Sequence, residues 1–106
     1  MEVTAKLLRV GKSPKPEFIG KKGILKVTFP VAEDITRKIN GEWEKIGTSW
    51  FNVEAWGDTA ESILADLKEG NAFELLKGQH QIDKVVNEGE TNYYPKYKIF
   101  EYKKYD

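Results

Sequence analysis

The sequence predicts a small, mainly β domain with one short helix. Apolar residues alternate with polar ones at the two-residue period of strands in several runs, and glycines, prolines and an Asn-Gly pair punctuate those runs. A helical apolar stripe occurs once, near the middle. The chain has 106 residues, enough for one hydrophobic core, so a single domain over 1–106 is expected.

The first run, Val3 to Val10, alternates as a strand. GKSPKPEFIGKKG, with its prolines and glycines, reads as a loop, and ILKVTFPVA resumes as a strand in which Pro30 demands an edge position or a bulge. Residues 35–48 read as a long hairpin connection around the turn signal Asn40-Gly41. In SWFNVEAWG, alternation puts Phe51, Val53 and Ala55 on one face, the expected core side, and Trp50, Asn52, Glu54 and Trp56 on the other. Two tryptophans beside an amide and a carboxylate predict large flat rings on a wet surface, the mark of contact with a ligand or partner. Asp58 is the expected helix N-cap with Glu61 at the capping-box position; Ala60, Ile63, Leu64 and Leu67 form the stripe, and Gly70 ends it. AFELLKG, QIDKVV and TNYYPKYKIFEYKKY read as further strands, with the last hairpin turn at 87–90.

Composition removes several classes of function. There is no cysteine and one histidine, His80, so disulfides, thiol catalysis and thiolate metal sites are absent and no metal or other cofactor is expected. His80 is also the one base available to Ser13, Ser49 or Ser62, and no phosphate-cradling glycine motif occurs, so the expected role is not enzymatic. No apolar run reaches the roughly 18 residues of a membrane span, and the N-terminus does not read as a signal peptide, so a cytoplasmic protein is expected. The formal net charge is zero, but it is segregated: Lys6, Arg9, Lys12, Lys15, Lys21, Lys22 and Lys26 crowd the first 30 residues, while carboxylates dominate 40–90. A neutral chain with segregated charge can still present a basic groove.

The aromatic inventory points the same way. Trp43, Trp50, Trp56, Tyr93 and Tyr94 fall where a core does not need them, interleaved with lysines. Rings on a sheet with cations beside them suit single-stranded nucleic acid, because every base has a π-face and every phosphate a charge.

Together, LLRVGK, KPE, NGEWEK, SWFNVEAWGDTAESILADLKEG and LLKGQHQIDK resemble the bacterial-type single-stranded DNA-binding (SSB) family over about residues 4–102. The resemblance implies a five-stranded OB-fold Greek-key barrel with long β-hairpin loops. It implies base stacking for Trp50 and Trp56 and phosphate contacts for Lys6 and Lys84; Arg9 and Lys12 are expected to add phosphate neutralisation, and Trp43, Tyr93 and Tyr94 further stacking. The family's other two stacking positions fall near Ile35 and Val85, neither aromatic. The implied function is sequence-nonspecific single-stranded DNA binding in replication, recombination or repair, by a nucleoid-associated homo-oligomer, tetramer or dimer. The family's acidic tail, which recruits replication and repair proteins, does not appear in this sequence, which stops at EYKKYD; either the tail was removed or this is a tailless relative. The alternatives are an OB-fold protein-interaction module of the primosome accessory type, and single-stranded RNA binding.

Overall fold

The computed structural model describes the backbone of residues 2–105 and the side chains of residues 7–105. Six strands and one helix follow in the order β1 (Glu2–Val10), β2 (Lys15–Ile19), β3 (Ile24–Ile39), β4 (Glu42–Trp56), α1 (Gly57–Asp66), β5 (Ala72–Asn87) and β6 (Glu90–Lys104). The strands hydrogen-bond in the order β1-β5-β6-β4-β3-β2, and a β1–β3 pairing at Arg9↔Ala32 and Val10↔Val31 closes five of them into a barrel. β4 and β6 run parallel and the other pairs antiparallel, the Greek-key arrangement of an OB fold.

The alternation expected in β4 is what the barrel uses. Val53 and Ala55 point inward and are buried with Leu8, Val27, Phe29, Val31, Phe73, Leu75 and Ile99, and Phe51 packs on the margin of this core. Helix α1 inserts Ala60 and Ile63, with Leu67 just past its end, into the same core and packs on β3, β4 and β6. The Tyr102 hydroxyl clamps it there, donating to Asp66 at 2.9 Å and standing 2.6 Å from the Ser62 hydroxyl.

Several local expectations need correction. The segment read as a loop contains β2, paired with β3 from Lys15↔Thr28 to Ile19↔Ile24. Pro16 is tolerated there because β2 is an edge strand, where a missing N–H leaves no ladder bond unmade. The connection read over 35–48 is strand up to a two-residue turn, with Asn40 (φ 52°) and Gly41 (φ 83°) both left-handed, as a type I′ turn requires. AFELLKG and QIDKVV are one continuous strand, β5, whose hairpin with β6 turns at Glu88 (φ 49°) and Gly89 (φ 82°). Asp58 is not the N-cap: Trp56 occupies that position with no side-chain cap bond, and Asp58 sits in the first turn, where its charge favours the helix dipole. Pro30 does lie where no N–H is needed. Its carbonyl accepts from Gly11 N–H at 2.8 Å, so its nitrogen faces the same side, at the gap between the β2 and β1 pairings of β3.

Candidate nucleic-acid interface

The barrel's outer surface over β3, β4 and β6 carries the side chains the core does not take. Residues opposite one another in a ladder share a face. Trp56, Glu54, Asn52 and Trp50 on β4 therefore stand beside Lys26, Thr28, Pro30 and Ala32 on β3, and beside Lys96 and Lys98 on β6. Lys15 on β2, Gln81 and Asp83 on β5 and Tyr94 on β6 belong to the same face by register. Between the two tryptophans runs a groove of about 460 Å³ lined by Lys12, Lys15, Lys26, Asn52, Tyr94 and Lys96 among others.

Trp50 is 62 % exposed. One edge of its ring rests on Gly11, where a Cβ would lie 2.6 Å from Trp50 Cζ3, so the absent side chain is what makes room for the indole. Six residues on, roughly 20 Å at strand rise, Trp56 is half-buried between two ammonium groups. Lys26 Nζ is 5.4 Å and Lys98 Nζ 5.9 Å from its ring centre, within cation–π range.

Trp43 joins this face through a β-bulge. Ile35 pairs with Gly47 but Thr36 pairs with Lys45, leaving Ile46 as an extra residue on β4. One extra residue reverses the alternation, so Trp43, which strict alternation from Trp50 would place on the opposite side, shares the face of Trp50 and Trp56 and is 71 % exposed. The ion pair between Lys45 and Asp34, at 3.3 Å, reports the same reversal from β3.

Charge on the face is partly compensated. Glu54 is only 3 % exposed; Lys96 Nζ lies 2.9 Å from its Oε1 and Lys26 Nζ 3.4 Å from its Oε2. Glu54 is thus no open carboxylate repelling an anion, as its place on the wet face of the sequence suggested, but is buried under two lysines. Oε2 nevertheless accepts no hydrogen bond. Lys96 also reaches Asp83 at 2.7 Å. Burial alone would lower the pKa of Lys96, but hydrogen bonds and attraction from Asp83 and Glu54 outweigh it and hold the ammonium above its usual value.

The site residues expected from sequence divide accordingly. Trp50, Trp56, Trp43, Lys12 and Tyr94 gather on the grooved face. Arg9 reaches it too, opposite Ala32, but its guanidinium donates to Asp34 at 2.8 Å. Lys84 and Tyr93 pair with each other on the other side of the β5–β6 hairpin, away from the groove. The side chain of Lys6 lies outside the described residues. Sequence reading counted Lys15 and Lys26 in the basic N-terminal stretch without assigning them a contact and missed Lys96 and Lys98; only strand register assembles the four. Among the described residues, no group of three or more His, Cys, Asp or Glu is placed to hold a metal ion, and no helix is long and apolar enough to cross a membrane.

No protein-family model matches the chain, and no curated protein matches it in sequence. Solved structures do match. The small single-stranded DNA-binding protein from Streptomyces coelicolor superposes with a TM-score of 0.77 at 17 % identity, over 98 % of this chain and 93 % of that one. The Plasmodium falciparum SSB in complex with ssDNA gives 0.82 at 15 % identity, over 99 % and 94 %. At these identities the likeness is one of fold, and over nearly its whole length the chain has the OB architecture of those two proteins.

Proposed function

We propose that this chain binds single-stranded DNA without sequence preference, stacking bases on Trp50, Trp56 and Trp43 and holding phosphates with Lys12, Lys15, Lys26, Lys96 and Lys98. The observation that carries the reading is Trp50, 62 % exposed on one continuous face with Trp56 and the lysine-lined groove. A ring kept open to solvent contributes to a core only in part, whereas stacking on it is worth roughly 1–3 kcal/mol per base and tolerates any sequence. The fold shared with an SSB seen in complex with ssDNA supports the same reading.

The proposal extends to assembly and setting. Between Glu2 and Leu8, β1 pairs with β5 on one side while its β3 side has no ladder partner among the described residues, and this edge is the contact we propose for a homodimer or tetramer. In the cell the chain would coat single strands exposed in replication, recombination or repair, in the cytoplasm with the nucleoid, in a binding role and not a catalytic one.

The test is a titration of tryptophan fluorescence with oligo-dT at low and high salt, against a duplex and an oligo-rU of equal length. Strong quenching by the DNA single strand, a weak duplex response and affinity falling with salt are expected. Absence of quenching at low salt would overturn the reading and return the tryptophans to a protein interface, whereas preference for rU would make RNA the ligand. Trp50→Ala and Trp56→Ala should each weaken binding by roughly 1–3 kcal/mol.

A further inference from the structure

We infer that the base-stacking track continues past Trp56 onto Phe100, with Lys98 serving the phosphate between the two rings; this rests on the single-strand reading above. Phe100 owes its position to a second irregularity. Gly78 pairs with Ile99 and Lys77 with Glu101, so Phe100 is an extra residue on β6. Ile99 and Tyr102 both turn toward the core, and the two residues between them, Phe100 and Glu101, are exposed in succession. Without the extra residue one of them would point inward.

Three observations make the exposed ring part of the interface and not a stray surface aromatic. Lys98 Nζ stands 5.9 Å from the Trp56 ring centre and 5.6 Å from that of Phe100, so one ammonium is within cation–π range of both rings. Those distances bound the separation of the ring centres at 5.9 Å plus 5.6 Å, about 11.5 Å, and bases stacked on the two rings would share the cation. Phe100 is 39 % exposed, and its backbone is held by the Thr59 hydroxyl, which donates to its carbonyl at 3.4 Å beside the start of α1. Beyond it the surface turns net acidic: Asp58, Asp66 and Glu101, against the single cation Lys104, line the depression next to Phe100. Phosphates are repelled there, so Phe100 marks the end of the track.

The test uses oligo-dT binding followed by fluorescence anisotropy, with folding checked by thermal melting. Phe100→Ala should weaken binding roughly 5- to 150-fold, the equivalent of one lost stack, and Phe100→Trp should restore it. Lys98→Gln should flatten the dependence of log K on log salt by about 0.7, the loss of one phosphate contact on a single strand. To separate stacking from a packing role, a chain carrying Trp43→Phe, Trp50→Phe, Trp56→Phe and Phe100→Trp has its one indole at the proposed position. Quenching of that indole on oligo-dT binding supports the inference. Binding by anisotropy with an unquenched indole overturns it, as does wild-type affinity in Phe100→Ala alongside a weakened Trp56→Ala. Either result leaves the single-strand reading standing, whereas no oligo-dT binding by the unaltered chain removes both.

Discussion

Gly11→Ala should impair binding without removing any side chain of the proposed interface. The new Cβ would stand 2.6 Å from Trp50 Cζ3 and 3.3 Å from the Pro30 carbonyl oxygen. Carbon atoms settle at about 3.5–4.0 Å, so something must move by about 1 Å. The backbone is held on both sides, since Gly11 N–H donates to Pro30 at 2.8 Å and Val10 N–H to Asn71 at 2.8 Å. The half-free indole is therefore what yields. Gly11 is outside the left-handed region, so alanine adds no backbone strain there, and the change in stability should stay within about 1 kcal/mol. Displacing the ring forfeits part of one stack, about 1 kcal/mol or fivefold in oligo-dT affinity. The assay is a double-mutant cycle with Trp50→Ala, read by oligo-dT titration and urea unfolding. Gly11→Ala should weaken binding in the native background and have no effect once Trp50 is alanine. Equal losses in both backgrounds, or destabilisation above about 2 kcal/mol, would show that the backbone moved and not the ring.

Three further outcomes are expected. Asp83→Asn leaves Lys96 paired with Glu54 alone, so a phosphate competes with one carboxylate there and not two; oligo-dT binding should tighten modestly and its salt dependence steepen, and the gain should vanish in a Lys96→Met background. Phe51→Ala should cost about 2–3 kcal/mol in urea unfolding, below the 3–5 of a fully buried ring, because Phe51 lies at the core margin against Tyr97, 4.7 Å between ring centres. Lys96, with its pKa raised above 10.5 in the folded chain, contributes stability that is fully present below pH 10.5 and lost as the pH climbs through the folded value. Unfolding series from pH 9 to 12 should therefore show Lys96→Met losing less stability across that window than the native chain.

The parts of the fold legible in the sequence are those written in local alternation and turn chemistry. Val53 and Ala55 against Trp50 and Trp56, the left-handed turn at Asn40-Gly41, and the stripe of Ala60, Ile63 and Leu67 all follow from spacing within a few residues. β2 was hidden because Pro14 just before it and Pro16 within it read as loop, and an edge strand tolerates what a central one does not. Trp43's side depended on Ile46 being unpaired, and a bulge has no signature in a run of alternating residues. The lysines posed a different difficulty. Lys26, Lys96 and Lys98 come from strands some 70 residues apart in sequence and meet only because β3, β4 and β6 lie side by side, whereas Lys84, near an expected contact position, falls on the far side of its hairpin.

The carboxylates on the face explain how a chain of zero net charge can serve this purpose. Asp83 is about half exposed, and its bond to Lys96 is an ion pair of the kind worth at most about 1 kcal/mol, readily exchanged for one to phosphate. Glu54 cannot leave: it is buried, and withdrawing Lys26 or Lys96 from it would strand a charge in the protein at a cost of several kcal/mol. A phosphate arriving at either lysine must therefore share it with Glu54 and gains less than it would from an unpaired cation. What Glu54 takes from phosphate affinity it returns as position, since it fixes Lys26 beside Trp56 and Lys96 at the groove floor before any strand arrives. On the proposed reading, attraction to phosphate would thereby be weakened and preorganised at once, and most of the binding energy would fall to the rings. Such a division would favour single strands over duplexes, in which the phosphates are equally available but the bases are already stacked on one another.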